Sequence, residues 1–212
     1  MKRAVFCDFD GTITLEETFV AMLTRFAPER SAQLLPEIYA LRMTLHEGVQ
    51  RMMAAIPSRE YPAILEFTRT QPMRPGLVEL LDFLDRHEVP FVVVSGGLRG
   101  MVEAVLGDLK SRTMAIHAAD IDTSGEYLRV YSDFEGETEM VDKVKAIEQY
   151  EVEDWVAIGD SVTDLNMAMA APTIFARSRL CEYLDERQKP YIEFNDFLDV
   201  RDRLDRMWAR SG

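Results

Sequence analysis

What this sequence lacks narrows it first. Its two cysteines, Cys7 and Cys181, stand far apart, so no disulfide framework organises the chain. Lys and Arg form no cluster, and a net charge of −13 argues against nucleic acid or an anionic membrane as partner. No apolar run approaches the ~20 residues of a membrane span. The first hydrophobic run is too short for a signal peptide and leads straight into Asp8. His46, His87 and His117 are scattered without metal-ligand spacing. Internal repeats and low-complexity tracts are absent. The expectation is a cytoplasmic, soluble protein in a reducing compartment, monomer or homodimer. Its 212 residues, 47% of them apolar, suffice for one core, or one core with an insertion.

What is there begins at the N-terminus. Ala4 to Cys7 is a short apolar run that ends in Asp8, Phe9, Asp10, Gly11 and Thr12, which reads as a buried strand stopping at a turn. Residues i and i+2 of an extended segment project to one side, so Asp8 and Asp10 are expected to face one pocket. Alone, such a pair serves equally well as turn chemistry.

From Thr14 to about Met73 the spacing is helical throughout. Helices are predicted over 16–26 and 29–43, from a Thr44–Glu47 capping box through Ile56, and from a Ser58 cap to Arg69. About sixty residues of helix without a strand predict an inserted cap over 15–74, with 1–14 and 75–212 forming the core.

From Pro75 strands and helices alternate. Strands are predicted at 91–94, 113–117, 155–158 and 173–176. A hairpin pairs 119–122 with 127–131, and helices are predicted at 76–87, 98–106, 141–150, from 164, and at 195–208. Such alternation predicts an α/β fold, a doubly wound, mainly parallel sheet with helices on both faces.

Three of the apolar strands end in polar residues: Asp8 and Asp10; Ser95, Gly96 and Gly97; Gly159, Asp160 and Ser161, with Asp164 four positions on. Ligands of open parallel sheets bind at the carboxyl ends of strands, so these groups are expected to converge. Two like charges ~4 Å apart repel by about 4 kcal/mol at a surface-like dielectric. Gathering Asp8, Asp10, Asp160 and Asp164 therefore requires cations. A hard divalent ion such as Mg²⁺ suits carboxylates combined with a substrate phosphate. Lys143, opening a helix, is the candidate for a second positive group, although position alone also suits a solvated lysine.

DFDGT (Asp8 to Thr12), VVVSGG (Val92 to Gly97), Lys143 and GDSVTD (Gly159 to Asp164) resemble, in order, the four motifs of the haloacid dehalogenase superfamily, and the helical insert resembles its type 1 cap. The resemblance implies a Rossmann-like core, Mg²⁺ dependence and an aspartyl-phosphate intermediate. It implies Asp8 as nucleophile and Asp10 as general acid and base. It places the phosphoryl group on Gly11, Ser95, Gly96 and Lys143, and the metal on Asp8, Asp10, Asp160 and Asp164. The implied reaction is hydrolysis of a small phosphorylated metabolite. A fold-conserving protein without catalysis and a phosphotransferase are the alternatives; a dehalogenase would leave Asp10 no leaving group to protonate.

Two branches of the superfamily share further stretches. HEGVQRMMAAIPS (His46 to Ser58), IGDSVTDLNMA (Ile158 to Ala168) and FAR (Phe175 to Arg177) are similar to the methionine-salvage phosphatases that act on 2-hydroxy-3-keto-5-methylthiopentenyl 1-phosphate. That branch typically carries a cysteine-rich insertion before the motif lysine, whereas Ser132 to Asp142 holds no cysteine. The predicted hairpin and the run before Lys143 are similar to phosphoserine phosphatases. That resemblance implies Glu17 for a substrate amine and Arg51 for a carboxylate, where surface roles fit as well. Those enzymes usually read DFDST, whereas Gly11 stands here at the Ser position. The methionines of the cap, Met22, Met43, Met52, Met53 and Met73, suit core filling or a pocket for an apolar tail. Arg177 and Arg179 suit the site rim or the open surface. Cap closure predicts hinges near Thr14 and at Arg74, Pro75 and Gly76.

Overall fold

The centre of the sheet is the first strand, because its residues are apolar on both faces. In a computed structural model, which describes residues 3–209, β1 (Arg3–Cys7) pairs in parallel with β2 (Phe91–Leu98) on one side and β5 (Asp154–Gly159) on the other. The outermost residues of the expected core, 1–2 and 210–212, lie outside the described residues.

β3 (Ala115–Asp122) and β4 (Arg129–Tyr131) extend the sheet beyond β2, and β6 (Thr173–Ala176) and β7 (Ile192–Glu193) extend it beyond β5. The order is β4-β3-β2-β1-β5-β6-β7, parallel except for the β3–β4 pair. The chain leaves β1 toward one side for β2 and later toward the other for β5. That reversal opens a crevice at the carboxyl ends of these three strands.

Alternation within β1 separates two apolar layers. Val5 and Cys7 join α5 (Leu77–Arg86), α6 (Arg99–Leu106) and α10 (Phe197–Trp208) on one face. Ala4 and Phe6 join α7 (Lys143–Ile147), α8 (Leu165–Ala170) and α9 (Ser178–Glu186) on the other. The fold is the doubly wound α/β sheet expected.

Between β1 and β2 lie α1 (Thr18–Phe26), α2 (Pro28–Tyr39), α3 (Leu45–Met53) and α4 (Tyr61–Arg69), with no strand of the sheet among them. Thr44 caps α3 by accepting from the Glu47 amide at 3.1 Å. Their apolar faces share a third cluster, with Met22, Met52 and Met53 buried against Leu128 and Val130 of the hairpin. These methionines fill packing space. The two connections to the rest of the chain pair with each other: Thr14 bridges Met73, and the Leu15 amide donates to the Pro72 carbonyl at 3.0 Å.

Several boundaries differ from the sequence reading. α2 ends at Tyr39 rather than Met43, because the chain turns at Leu41 with φ +57°. Ser58 opens a 3₁₀ turn without a side-chain cap, and its buried hydroxyl has no hydrogen-bond partner among the described residues. The strands predicted at 113–117 and 119–122 are one strand, β3, and α9 and β7 were not foreseen. Among the described residues no helix is long and apolar enough to cross a membrane.

Candidate active site

Asp8 follows β1 directly, and its amide donates to the Ile158 carbonyl of β5 at 2.9 Å, so its position is set by the sheet. Lys143 is the first residue of α7, whose cap Asp142 accepts from the Lys145 amide at 3.0 Å. The lysine is buried. Its ammonium donates to Asp8 Oδ1 and to Asp164 Oδ1, both at 2.5 Å. Two of its three protons are thus engaged and the third is free for a ligand.

Asp164 Oδ2 accepts from the Asp160 and Ser161 amides at 2.9 and 3.1 Å, folding the GDSVTD turn back on itself. Asp160 in turn accepts from the Thr12 hydroxyl at 3.3 Å. Carboxylate oxygens of Asp8, Asp160 and Asp164 all lie within 4.8 Å of one another, and all three residues are buried.

The glycines beside them follow from this crowding. A Cβ on Gly11 would stand 2.4 Å from Asp160 Oδ2, and its φ of +79° is itself unfavourable for other residues. A Cβ on Gly159 would stand 2.6 Å from the Asp164 carboxyl carbon.

Three carboxylates around one ammonium leave a local excess of negative charge. Burial, then the neighbouring Asp164, pushes the Asp8 carboxyl up despite Lys143; burial, then Asp8, pushes Asp160 up. Burial would lower Lys143, but the charges of Asp164 and Asp8 outweigh it and hold the ammonium protonated. Hard oxygen donors with surplus charge form a set that can hold a divalent cation.

Asp10, expected with them, is not part of that group of three: its carboxylate accepts from the Thr18 amide at 2.6 Å and the Phe19 amide at 3.1 Å, at the start of α1. Burial raises it to about 7, against the lowering hydrogen bond from Phe19 and with the Asp8 charge adding to the rise. Ser95 lies within β2, which runs on to Leu98 through an irregularity rather than stopping at Val94. The serine is fully buried and its Oγ accepts from the Gly97 amide at 3.0 Å, leaving its proton free to donate. A Cβ on Gly96 would meet nothing within 4 Å, so open space faces that residue. The Gly11 amide is engaged by Thr14 Oγ1 at 3.0 Å.

Glu17 precedes α1, is exposed, and makes no side-chain cap. Arg51 is exposed on α3, where it pairs with Glu47 at 2.5 Å. The structure therefore does not bring Arg51 into the cluster. Arg177 reaches inward, its Nη1 donating to the Gly11 carbonyl at 3.0 Å, whereas Arg179 is exposed. Arg74, expected only as part of a hinge, is 5% exposed and its guanidinium lies against the loop that follows Asp10. Arginine is usually a surface residue, and nothing in its local sequence signals the contact.

Known proteins align with this arrangement. The family model described as haloacid dehalogenase-like hydrolase matches residues 5–169. A relative from Microcystis aeruginosa, named 2-hydroxy-3-keto-5-methylthiopentenyl-1-phosphate phosphatase, is 47% identical over 206 residues, covering 96% of this chain and 98% of its own. One of the same name from Bacillus cereus is 29% identical, with 96% of each chain covered. Among solved structures, a phosphoserine phosphatase from T. onnurineus superposes with a TM-score of 0.68 at 18% identity, over 95% of this chain and 94% of that one, a likeness of fold. The family pattern runs from β1 past the aspartates of the GDSVTD turn, and relatives align along nearly the whole sequence: the chain belongs to the haloacid dehalogenase-like hydrolase family.

Proposed function

We propose that this chain is a Mg²⁺-dependent phosphatase acting through a phosphorylated Asp8, with 2-hydroxy-3-keto-5-methylthiopentenyl 1-phosphate as its substrate. The observation that carries the chemistry is the buried chain Asp8–Lys143–Asp164 beside Asp160, at the ends of adjacent parallel strands. The substrate is taken from the name of relatives 47% and 29% identical over 96% of the chain.

The oxygen donors fit Mg²⁺ better than a soft metal. Asp8, Asp160 and the Asp10 carbonyl would hold it. Both oxygens of Asp164 are engaged, by Lys143 and by two amides, which favours Asp164 as the residue that orients Lys143. When bound, the ion neutralises charge on the phosphoryl oxygens.

An Asp8 oxygen attacks phosphorus, the ester P–O bond breaks, and the Asp10 proton passes to the leaving oxygen. Water then attacks the aspartyl phosphate at phosphorus and gives a proton to Asp10, and the bond to the Asp8 oxygen breaks to release phosphate. A carboxyl raised to about 7 carries a transferable proton near neutrality. The Ser95 hydroxyl, the Gly96 amide and the third ammonium proton of Lys143 bind the phosphoryl oxygens, where charge spreads in the transition state. Residues 15–74 serve as the cap over residues 1–14 and 75–212, and the paired connections at Thr14 and Met73 support that division. Action in the cytoplasm, as monomer or homodimer, belongs to the same proposal, as does the lack of a nucleic acid or membrane partner, which the net charge of −13 supports.

Phosphoserine is the second reading, favoured by the fold likeness and opposed by the pairing of Arg51 with Glu47. Side-by-side assay of the two phosphates, with and without EDTA, decides. The proposal expects turnover abolished by EDTA and a preference of about a hundredfold or more in kcat/KM for the enol phosphate. Turnover unaffected by EDTA, or a preference for phosphoserine, overturns it.

A further inference from the structure

The loop after Asp10 exposes four consecutive carbonyls, Gly11 to Thr14, and one residue meets all of them. Arg74 Nη2 donates to the Gly11 carbonyl at 2.8 Å and to that of Thr14 at 3.3 Å. Its Nε donates to Thr12 at 2.8 Å, and its backbone amide donates to Ile13 at 2.7 Å. The remaining arm, Nη1, reaches the Asn195 carbonyl at 3.2 Å, ahead of α10. Among the described residues no carboxylate makes an ion pair with this buried guanidinium. Arg177 approaches the same Gly11 carbonyl at 3.0 Å from the β6 side.

We infer that Arg74 is a positioning residue that holds the loop between the two catalytic aspartates and the helical insertion, and so couples the insertion's second connection to the geometry of Asp8 and Asp10. The physical case is one of shape and charge. A planar fork satisfies several carbonyls at fixed angles, which a lysine ammonium on a flexible stem does not. Unpaired buried carbonyls would be costly, so the loop stays where the fork holds it. Carbonyl oxygens of the loop accept from Arg74 and Arg177, and the Thr12 hydroxyl donates to Asp160. With φ +79° at Gly11, the turn lacks the steric restraint a side chain would give, and the arginines add to its own bonds from the Gly11 amide to Thr14 Oγ1 and from the Ile13 and Thr14 amides to the Phe9 carbonyl. Arg74 is also the last residue before Pro75, so a shift of the insertion relative to the sheet reaches Asp10 through this side chain.

The inference rests on the proposed phosphatase reading only for its kinetic readout, so the test pairs kinetics with hydrogen exchange of the segment 9–18. In Arg74→Lys, kcat is expected to fall about 10- to 100-fold with KM changed by less than about threefold, the pattern of misplaced catalytic groups. Exchange at the Ile13 and Thr14 amides, which donate to the Phe9 carbonyl, is expected to quicken by about tenfold. An arginine that only stabilised the fold would lower the melting temperature and leave kcat per folded molecule unchanged. A folded Arg74→Lys enzyme with kcat within about twofold of the parent and unchanged exchange overturns the inference. If that variant does not fold, Arg177→Gln, which removes the second donor to Gly11, is expected to move both readouts the same way by about threefold; no movement overturns it equally. If the parent turns over neither phosphate, the substrate reading falls on its own, and faster or unchanged exchange in Arg74→Lys still supports or overturns the positioning role.

Discussion

The strand-end side of the site and the helical side facing it are built on different rules. At the strand ends Lys143 and Asp164 are buried and each held by several partners: Lys143 by Asp8 and Asp164, Asp164 by two amides besides. On or beside the helices, charges such as Arg51 with Glu47 and Arg42 with Glu37 are exposed and paired with near neighbours, and the cluster the helices bury is built of methionine and other apolar residues. A buried, mutually satisfied network has one arrangement, and any change to it leaves an uncompensated charge. Exposed pairs contribute little and can be exchanged. On the proposed function, reaction chemistry resides where substitution is costly, while the exposed pairs of the helical side are free to vary.

The largest test of that contrast is Asp8→Asn, which keeps the shape and removes the carboxylate proposed as nucleophile. Phosphate release is expected to fall by about 10⁴-fold or more with the fold retained in circular dichroism. Normal turnover would remove Asp8 from the reaction. Lys143→Met should come next: it leaves Asp8 and Asp164 buried without their shared cation, and denaturant titration should show a loss of about 3–5 kcal/mol. Thr44→Ala removes the cap of α3 on the helical side, for about 1 kcal/mol of stability and no change in kcat. Arg51→Gln should be the mildest, within about 0.5 kcal/mol of the parent in denaturation. A large rise in its KM for phosphoserine would instead place the helical surface in substrate binding and erase the contrast.

The same contrast governs what could be read from the chain. Strands β1, β5 and β6 are apolar runs closed by polar residues, so their ends, and the meeting of Asp8, Asp160 and Asp164, follow from the spacing. β3 runs unbroken where two strands are predicted, through His117, accommodated by Tyr150, whose hydroxyl lies 2.6 Å from Nε2, and Asp120, paired with Arg99 at 2.8 Å. α9 buries only Leu180 and Leu184 among charged neighbours, too sparse a stripe to read as a helix, and β7 is two residues long. Arg74 was illegible for a different reason. Its partners are backbone carbonyls, which every residue has, so no side-chain pattern announces it. Glu17 and Arg51 came from spacing relative to Asp8, which does not fix which way a helix faces.

The most direct measurement is the stereochemical course at phosphorus, using a substrate made chiral with oxygen isotopes and a thiophosphoryl group. Two successive in-line displacements, first by Asp8 and then by water, predict net retention of configuration. Inversion would mean that water attacks the substrate directly, and would contradict the account that Asp8 takes up the phosphoryl group.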